Sequence, residues 1–265
     1  MSRRLRLDAE LVRRGLARSR DQAADLIAAG RVAVAGQLAA KPASQVTVDA
    51  AITVEPPADG PDYVSRGGYK LAGALAAFPG VVVAGKRCLD AGASTGGFTD
   101  VLLRAGAAHV VAADVGYGQL AWSLQTDDRV TVLDRVNVRN LTPEQVAPPP
   151  GLVVADLSFI SLTAVLPALA ACAAPGADFL LMVKPQFEVG KDRVGGGVVR
   201  DPDLRAAAVA SVARAAAGVG LGVAGVTASP LPGPSGNVEY FLWLRPDAGP
   251  LDDSALARAI AAGPQ

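Results

Sequence analysis

The stretch from Cys88 to Val101, Cys-Leu-Asp-Ala-Gly-Ala-Ser-Thr-Gly-Gly-Phe-Thr-Asp-Val, constrains the fold more than any other part of the chain. Arg87 to Asp90 reads as the end of a buried strand. Gly92 to Gly97 reads as a loop whose backbone can approach a ligand closely, and Phe98 to Arg104 has helical periodicity. Strand, glycine loop and helix in that order make a nucleotide-type cofactor site. The spacing is not the Gly-x-Gly-x-x-Gly of a dinucleotide site, and Asp90 lies just before the glycines, where it can meet a cationic amine. About twenty residues on, His109 to Asp114 reads as a second strand ending in a carboxylate, a position that in this fold type takes the ribose hydroxyls of a cofactor. S-adenosylmethionine has an amine that suits Asp90, whereas NAD does not.

The alternation of strands and helices continues. Further strands are expected at Val130 to Asp134, Leu152 to Ala155, Phe179 to Val183, Val223 to Ala228 and Glu239 to Leu244. Helices are expected from Ser65-Arg66-Gly67-Gly68-Tyr69-Lys70 onward, with Lys70 in the first turn, at Tyr117 to Gln125, at Ser161 to Cys172, and from Asp201-Pro202 to Ala217. The expected fold is α/β, a doubly wound, mainly parallel sheet of seven strands. A hairpin-like link between the last two strands makes the final one antiparallel. Asp90, Asp114, Asp156, Lys184 and Glu239 then fall on the one edge where ligands bind in open α/β sheets.

Only five of the 25 basic residues are lysines: Lys41, Lys70, Lys86, Lys184 and Lys191. Arginine cannot give up its proton in a protein, whereas a buried or crowded lysine can. Lys184 is therefore a candidate general base, with Lys70 as a cation whose approach would favour its neutral form and Asp156 and Glu239 orienting the pair. A structural salt bridge between Lys184 and Asp156 is the other reading of the same residues.

Ahead of this domain lies a compact module of about 55 residues. Leu7, Leu11, Val12 and Leu16 share a helix face, with Asp8 a plausible N-cap, and Ser19-Arg-Asp-Gln22 matches a capping box before a second helix that stops at Gly30. Small strands follow around Val32 and Val34 and from Val46 to Val54. Residues 1 to 31 hold eight Arg against four acids, although the whole chain has no net charge, so any attraction for nucleic acid is local. Pro56 to Pro61 is rich in proline and glycine and marks the boundary.

Two cysteines in no metal-ligand spacing, Cys88 and Cys172, suggest reduced core thiols and a cytoplasmic protein, and no metal is expected. No signal peptide is visible at the arginine-rich N-terminus. Leu157 to Ala177 carries no charge, but Pro167, Pro175, Ser158, Ser161 and Thr163 suit a loop plus a helix better than a membrane span.

Arg6-Leu7-Asp8-Ala9-Glu10-Leu11-Val12, Gly15-Leu16-Ala17-x-Ser19-Arg20 and Leu26-Ile27-x-x-Gly30-x-Val32-x-Val34 resemble the S4-type RNA-binding domain. Asp90 to Phe98, Asp114 to Leu120, Ala155 to Ser161, Val183 to Glu188 and Ser229 to Glu239 resemble the TlyA family of ribosomal RNA methyltransferases, also labelled haemolysins and similar in fold to FtsJ-type enzymes. The resemblance implies a Rossmann-like class I methyltransferase with a mainly parallel seven-stranded sheet, preceded by a small α+β S4-type domain. It implies methyl transfer from S-adenosylmethionine to the 2′-hydroxyl of cytidine in 16S and 23S rRNA within ribosomal subunits.

The family's Lys-Asp-Lys-Glu tetrad carries over onto Lys70, Asp156, Lys184 and Glu239. The candidate cofactor contacts are Asp90, Gly92, Ser94, Thr95, Gly96, Gly97, Phe98, Asp114 and Asn137. The family's RNA contacts fall on Arg4, Arg6, Arg18, Lys41, Arg66 and Arg135, and Arg14 and Arg20, off the apolar helix faces, join them as candidate phosphate contacts. Asp134 stands where a Glu is frequent before Arg-x-Asn, and Tyr63 replaces a Trp often seen in the linker.

The expected division is an S4-like domain at 1–58, a linker at 59–65, a methyltransferase domain at 66–246, and a C-terminal tail or helix at 247–265. Competing readings are a non-enzymatic RNA-binding or ribosome-assembly factor, a membrane-active haemolysin and an NAD-dependent oxidoreductase. No stable membrane association is expected.

Overall fold

A computed structural model describes residues 4–17, 19–55, 61–190, 194 and 197–264, which fall into two compact units, Met1–Asp62 and Tyr63–Gln265. In the first unit β1 (Arg4–Arg6) runs directly into α1 (Leu7–Arg13), and α2 (Arg20–Ala28) precedes β2 (Val32–Val34), β3 (Gln37–Leu38), β4 (Gln45–Thr47) and β5 (Ile52–Val54). β1 pairs antiparallel with β4, and β2 lies between β3 and β5. Leu7, Leu11, Ala23, Leu26, Ile27, Val32 and Val46 close a small core between helices and strands.

Ser19 caps α2 by accepting a hydrogen bond from the Gln22 amide, as its spacing predicts. Asp8 is not the cap of α1. Arg6 occupies that position, and Asp8 is the second residue of the helix, where it is buried and accepts hydrogen bonds from both Arg6 and Arg20. α1 also stops at Arg13 rather than Leu16, because Gly15 turns the chain out at a φ of +69°.

Buried Glu10 gathers Arg13 and Arg14 in the same way. Arg14 donates further to the carbonyls of Val48 and Ala50. Several arginines of this unit are thus ion-paired to its own acids, whereas Arg4 and Lys41 are exposed; Arg18 lies outside the described residues.

The second unit continues with α3 (Arg66–Ala77), β6 (Arg87–Ala91), α4 (Gly97–Arg104), β7 (His109–Ala113), α5 (Trp122–Gln125), β8 (Val130–Leu133) and α6 (Pro143–Val146). Then come β9 (Leu152–Ala155), α7 (Leu162–Cys172), β10 (Asp178–Val183), α8 (Pro185–Glu188), α9 (Pro202–Ala217), β11 (Gly222–Ala228), β12 (Tyr240–Arg245) and α10 (Asp253–Ala261). The strand order is β11-β12-β10-β9-β6-β7-β8, with β12 antiparallel to both of its neighbours and the other pairings parallel.

The inner strands are apolar on both faces because helices cover both. Leu89, Val111, Val153 and Leu181 pack against α7, α9 and α10, while Cys88, Val110, Leu152 and Leu180 pack against α3, α4 and α5. Burial pushes the Cys88 thiol up to about 12, so it serves as an apolar filler.

Three local readings change. Lys70 is the fifth residue of α3 and not in its first turn. The helix expected at Tyr117 to Gln125 shrinks to its last turn, because Asp114 and Asp134 accept the amides of Gly116 and Gly118 and hold a turn there. The C-terminal stretch forms α10, capped by Asp252 and burying Leu256 and Ala259. Among the described residues no helix is long and apolar enough to cross a membrane.

Candidate active site

Asp156 follows β9, Lys184 follows β10 and caps α8, and Glu239 immediately precedes β12. The antiparallel register pairs Val183 with Tyr240, so one further step sets Lys184 opposite Glu239. Reversal of β12 therefore brings the beginning of one strand among the C-terminal ends of the others. Lys70 reaches this edge from α3.

Lys70 Nζ lies 2.5 Å from Glu239 Oε2, and Lys184 Nζ lies 2.6 Å from Asp156 Oδ1. Lys184 also donates to Ser158 Oγ at 3.0 Å. The Lys184–Asp156 approach is a charge contact, since Asp156 Oδ1 has no aligned hydrogen-bond donor. Each lysine thus has its own carboxylate, and two ion pairs stand side by side where mutual repulsion of the lysines was one expectation. Lys70, Lys184 and Glu239 are all buried. A buried ion pair such as Lys70–Glu239 is a poor stabiliser, because desolvation consumes most of the Coulombic gain, so its presence points to chemistry.

At the end of β6, Asp90 is fully buried. Its Oδ2 accepts from Thr99 Oγ1 at 2.7 Å, while its Oδ1 has no partner among the described residues. Burial raises its pKa to about 7; the Thr99 hydrogen bond opposes the shift, and Asp156 and Asp114 add to it. A buried carboxylate with one unsatisfied oxygen, flanked by two others, is suited to a cation.

The glycines of the loop beside it let its backbone pack closely against neighbouring parts of the chain. Gly92 has a φ of +88°, and a Cβ there would come 2.5 Å from the Asp156 carbonyl. Gly96 has a φ of +97°, and its missing side chain is replaced by Leu120 and Leu124. Ser94, also at positive φ, donates its amide to Asp114 Oδ2 at 2.8 Å, and Gly116 donates to Oδ1 at 2.7 Å. These bonds leave Asp114 lone pairs for ribose hydroxyls. The Thr95 carbonyl anchors Ala121, and Gly97 packs on Ser65 and Gly68 at the start of α3.

Not every expected contact residue offers its side chain. Phe98 is buried and stacks on Phe241 at 6.0 Å, leaving the amides at the start of α4 as its contribution. Asn137 is exposed and uses its Oδ1 to cap Arg139. Arg135, at a φ of +59°, lays its guanidinium over the Tyr117 ring at 4.3 Å. Arg66 begins α3, and its Nη2 lies 3.5 Å from the Pro232 carbonyl.

Thr99 and Ser158 join the site without being among its expected residues, although each lies within a motif that the sequence singles out. Phe159 did too: it is 91% exposed at a φ of +65°, beside Phe187, three residues beyond Asp156. A cavity of about 500 Å³ between α9 and the turn around Pro250 lies at the opposite edge of the sheet and includes none of these groups. Among the described residues no cluster of His, Cys, Asp and Glu is arranged to hold a metal ion.

Residues 63–246 match the FtsJ-like methyltransferase family, and residues 5–52 match the S4 domain. The 16S/23S rRNA (cytidine-2′-O)-methyltransferase TlyA of Mycobacterium tuberculosis is 63% identical over 271 residues, covering 100% of both chains. The chain belongs to the TlyA family. Another relative, Hemolysin A of Brachyspira hyodysenteriae, is 37% identical over 239 residues, or 89% of this chain and 98% of that protein. A solved structure from Streptococcus thermophilus, also bearing a hemolysin designation, has a TM-score of 0.78 and 36% identity over 98% of this chain and 96% of that one. TlyA membership makes the second unit a Rossmann-like class I methyltransferase domain and the first an S4 domain, as the motifs imply.

Proposed function

We propose that this chain methylates the 2′-hydroxyl of cytidine in 16S rRNA, 23S rRNA or both, with S-adenosylmethionine as donor and ribosomal subunits in the cytoplasm as partners. The observation that carries the reading is the two ion pairs, buried Lys70–Glu239 and the partly exposed Lys184–Asp156, at the sheet edge that also holds Asp90. The unsatisfied Asp90 oxygen suits the cofactor's ammonium, Asp114 its ribose, and the glycine loop its main body. When bound, the cofactor supplies an electrophilic methyl on a sulfonium.

Once the Lys184 ammonium has released its proton to solvent, the neutral amine takes the proton from the 2′-hydroxyl as that oxygen attacks the methyl, and Asp156 stabilises the ammonium that re-forms. Ser158 fixes the direction of the amine. Lys70, held by Glu239, places a second cation beside the oxygen as it gains negative charge. Exposed Phe159 offers a face on which the target base can stack.

The S4 domain, over 1–58 with a linker to 65, supplies Arg4, Arg6, Arg18, Arg20 and Lys41 for rRNA phosphates, while Arg14 is spent on Glu10, Val48 and Ala50; the catalytic domain over 66–246 adds Arg66 and Arg135. Mapping of 2′-O-methyl marks on ribosomal subunits incubated with enzyme and cofactor tests the proposal. A new mark on a cytidine ribose that is absent with Lys184→Ala supports it; a methyl on a base atom, or equal activity of the variant, rejects it.

A further inference from the structure

Asn237 is 3% exposed, lies two residues before Glu239, and belongs to neither ion pair nor to the cofactor loop. Its carboxamide uses both ends on main-chain groups. Oδ1 accepts from the Val199 amide at 2.9 Å, and Nδ2 donates to the Gly197 carbonyl at 2.9 Å. These are the two bonds that a neighbouring strand would supply. The Val199 carbonyl is held from the other side by Arg205 Nε at 2.9 Å.

The main chain of Asn237 has a second task. Its carbonyl accepts from the Gly233 amide at 2.8 Å, and the Gly236 amide bonds the Gly233 carbonyl at 2.9 Å, closing a turn. That turn presses on Glu239: a Cβ on Gly233 would lie 2.7 Å from Glu239 Oε1. One residue therefore grips two segments that lead away from the reactive edge. Gly197–Val199 end the connection that starts at Lys184 and α8, and the turn ends at Glu239.

Filling a buried gap would need only a residue of this size. Two main-chain hydrogen bonds from a buried carboxamide fix a position as well, because breaking them leaves the buried Val199 amide without a partner and frees the exposed Gly197 carbonyl to solvent.

We propose that Asn237 is a positioning residue for methyl transfer: its carboxamide ties the end of the α8–α9 connection to the turn over Glu239 and so holds the Lys70–Glu239 pair beside Lys184. The kinetic arm of the test rests on the methyl-transfer reading; the labelling arm does not.

The full chain and its Asn237→Ala variant are treated with a lysine-acylating reagent, and the labelling of individual lysines is followed by mass spectrometry. Lys86, paired with Asp178 at the opposite edge of the sheet, reports general loosening. Lys70 labelling is expected to rise about fivefold or more in the variant with Lys86 unchanged, since buried polar contacts held in one geometry open when a partner is removed. Methyl transfer at saturating cofactor and rRNA is expected to slow about tenfold or more, with cofactor affinity within about twofold of wild type. Asn237→Asp keeps the acceptor for Val199, loses the donor to Gly197, and gives the same signature in weaker form.

Lys70 labelling that is unchanged, or that rises only in step with Lys86, overturns the proposal. A wild-type chain that methylates no rRNA overturns the functional reading, while the labelling result still decides the role of Asn237.

Discussion

Lys184 stands across the sheet from Glu239 yet is bound to Asp156, while Glu239 is bound to Lys70. The two cations are thereby assigned to different carboxylates, and their roles separate. Lys184 contacts a partly exposed acid and a hydroxyl, whereas Lys70 is locked to an acid that is 1% exposed.

Lys184→Ala is expected to lower the methyl-transfer rate by about 10²-fold or more, the scale of a lost general base. Lys184→Arg is expected to fail equally, because a guanidinium keeps its proton. Cofactor affinity measured by calorimetry stays unchanged in both. An active arginine variant would show that charge alone suffices.

Lys70→Met leaves Glu239 buried without its cation and is expected to destabilise the fold by about 3–5 kcal/mol. Adding Glu239→Gln removes the unpaired charge and restores much of that loss. Urea unfolding of the two single variants and the double variant reads the coupling, and additive losses would mean that the pair carries no mutual energy.

Asp90 sets a pH dependence. Its carboxyl titrates near 7 in the fold and at about 3.9 in an unfolded chain, so between these values the folded protein keeps a proton that the unfolded chain has released. The resulting stability is present below pH about 4 and is lost as pH rises through 7, a change on the order of 4 kcal/mol. Asp90→Asn is expected to remove this slope, visible as a smaller difference between unfolding at pH 5 and at pH 8. A cationic amine needs the ionised form, so cofactor affinity rises with pH toward 7 in the wild type and not in the variant. Parallel curves for the two proteins would refute both statements.

Gly73 lies one turn beyond Lys70 on α3, and a Cβ there would meet the Pro230 ring at 2.6 Å. Alanine by itself favours a helix by about 1 kcal/mol over glycine. Gly73→Ala is nevertheless expected to slow methyl transfer about tenfold or more, because the loop leading to Glu239 must move from the face that carries Lys70. Retained activity would mean that Pro230 yields without disturbing the ion pair.

Arg4 and Lys41 are exposed, unlike Arg14, whose guanidinium is taken up by Glu10, Val48 and Ala50. Arg4→Ala and Lys41→Ala are each expected to weaken subunit binding and to reduce the salt slope of binding by about one, with cofactor affinity unaltered. A salt slope that stays at its wild-type value would place the phosphate contacts elsewhere.

The reactive edge was legible because apolar runs end in Asp90, Asp114, Asp156 and Lys184, and the short last link implied the reversal that delivers Glu239. Pairing was not legible. Register sets Lys184 opposite Glu239, but side-chain reach binds it to Asp156, which no periodicity encodes. The helix expected from Tyr117 failed because two aspartates compete for its first amides. Asp8 looked like a cap because its burial against Arg6 and Arg20 depends on how α1 and α2 pack.

Lys70 and Glu239 are 169 positions apart in the chain, and the strand that follows Glu239 is inserted between two others. During synthesis the lysine is made long before its acid. A polypeptide halted short of that strand carries its glycine loop but lacks one acid of its reaction centre, so the full set of reactive side chains exists only once the last strand of the chain has been made.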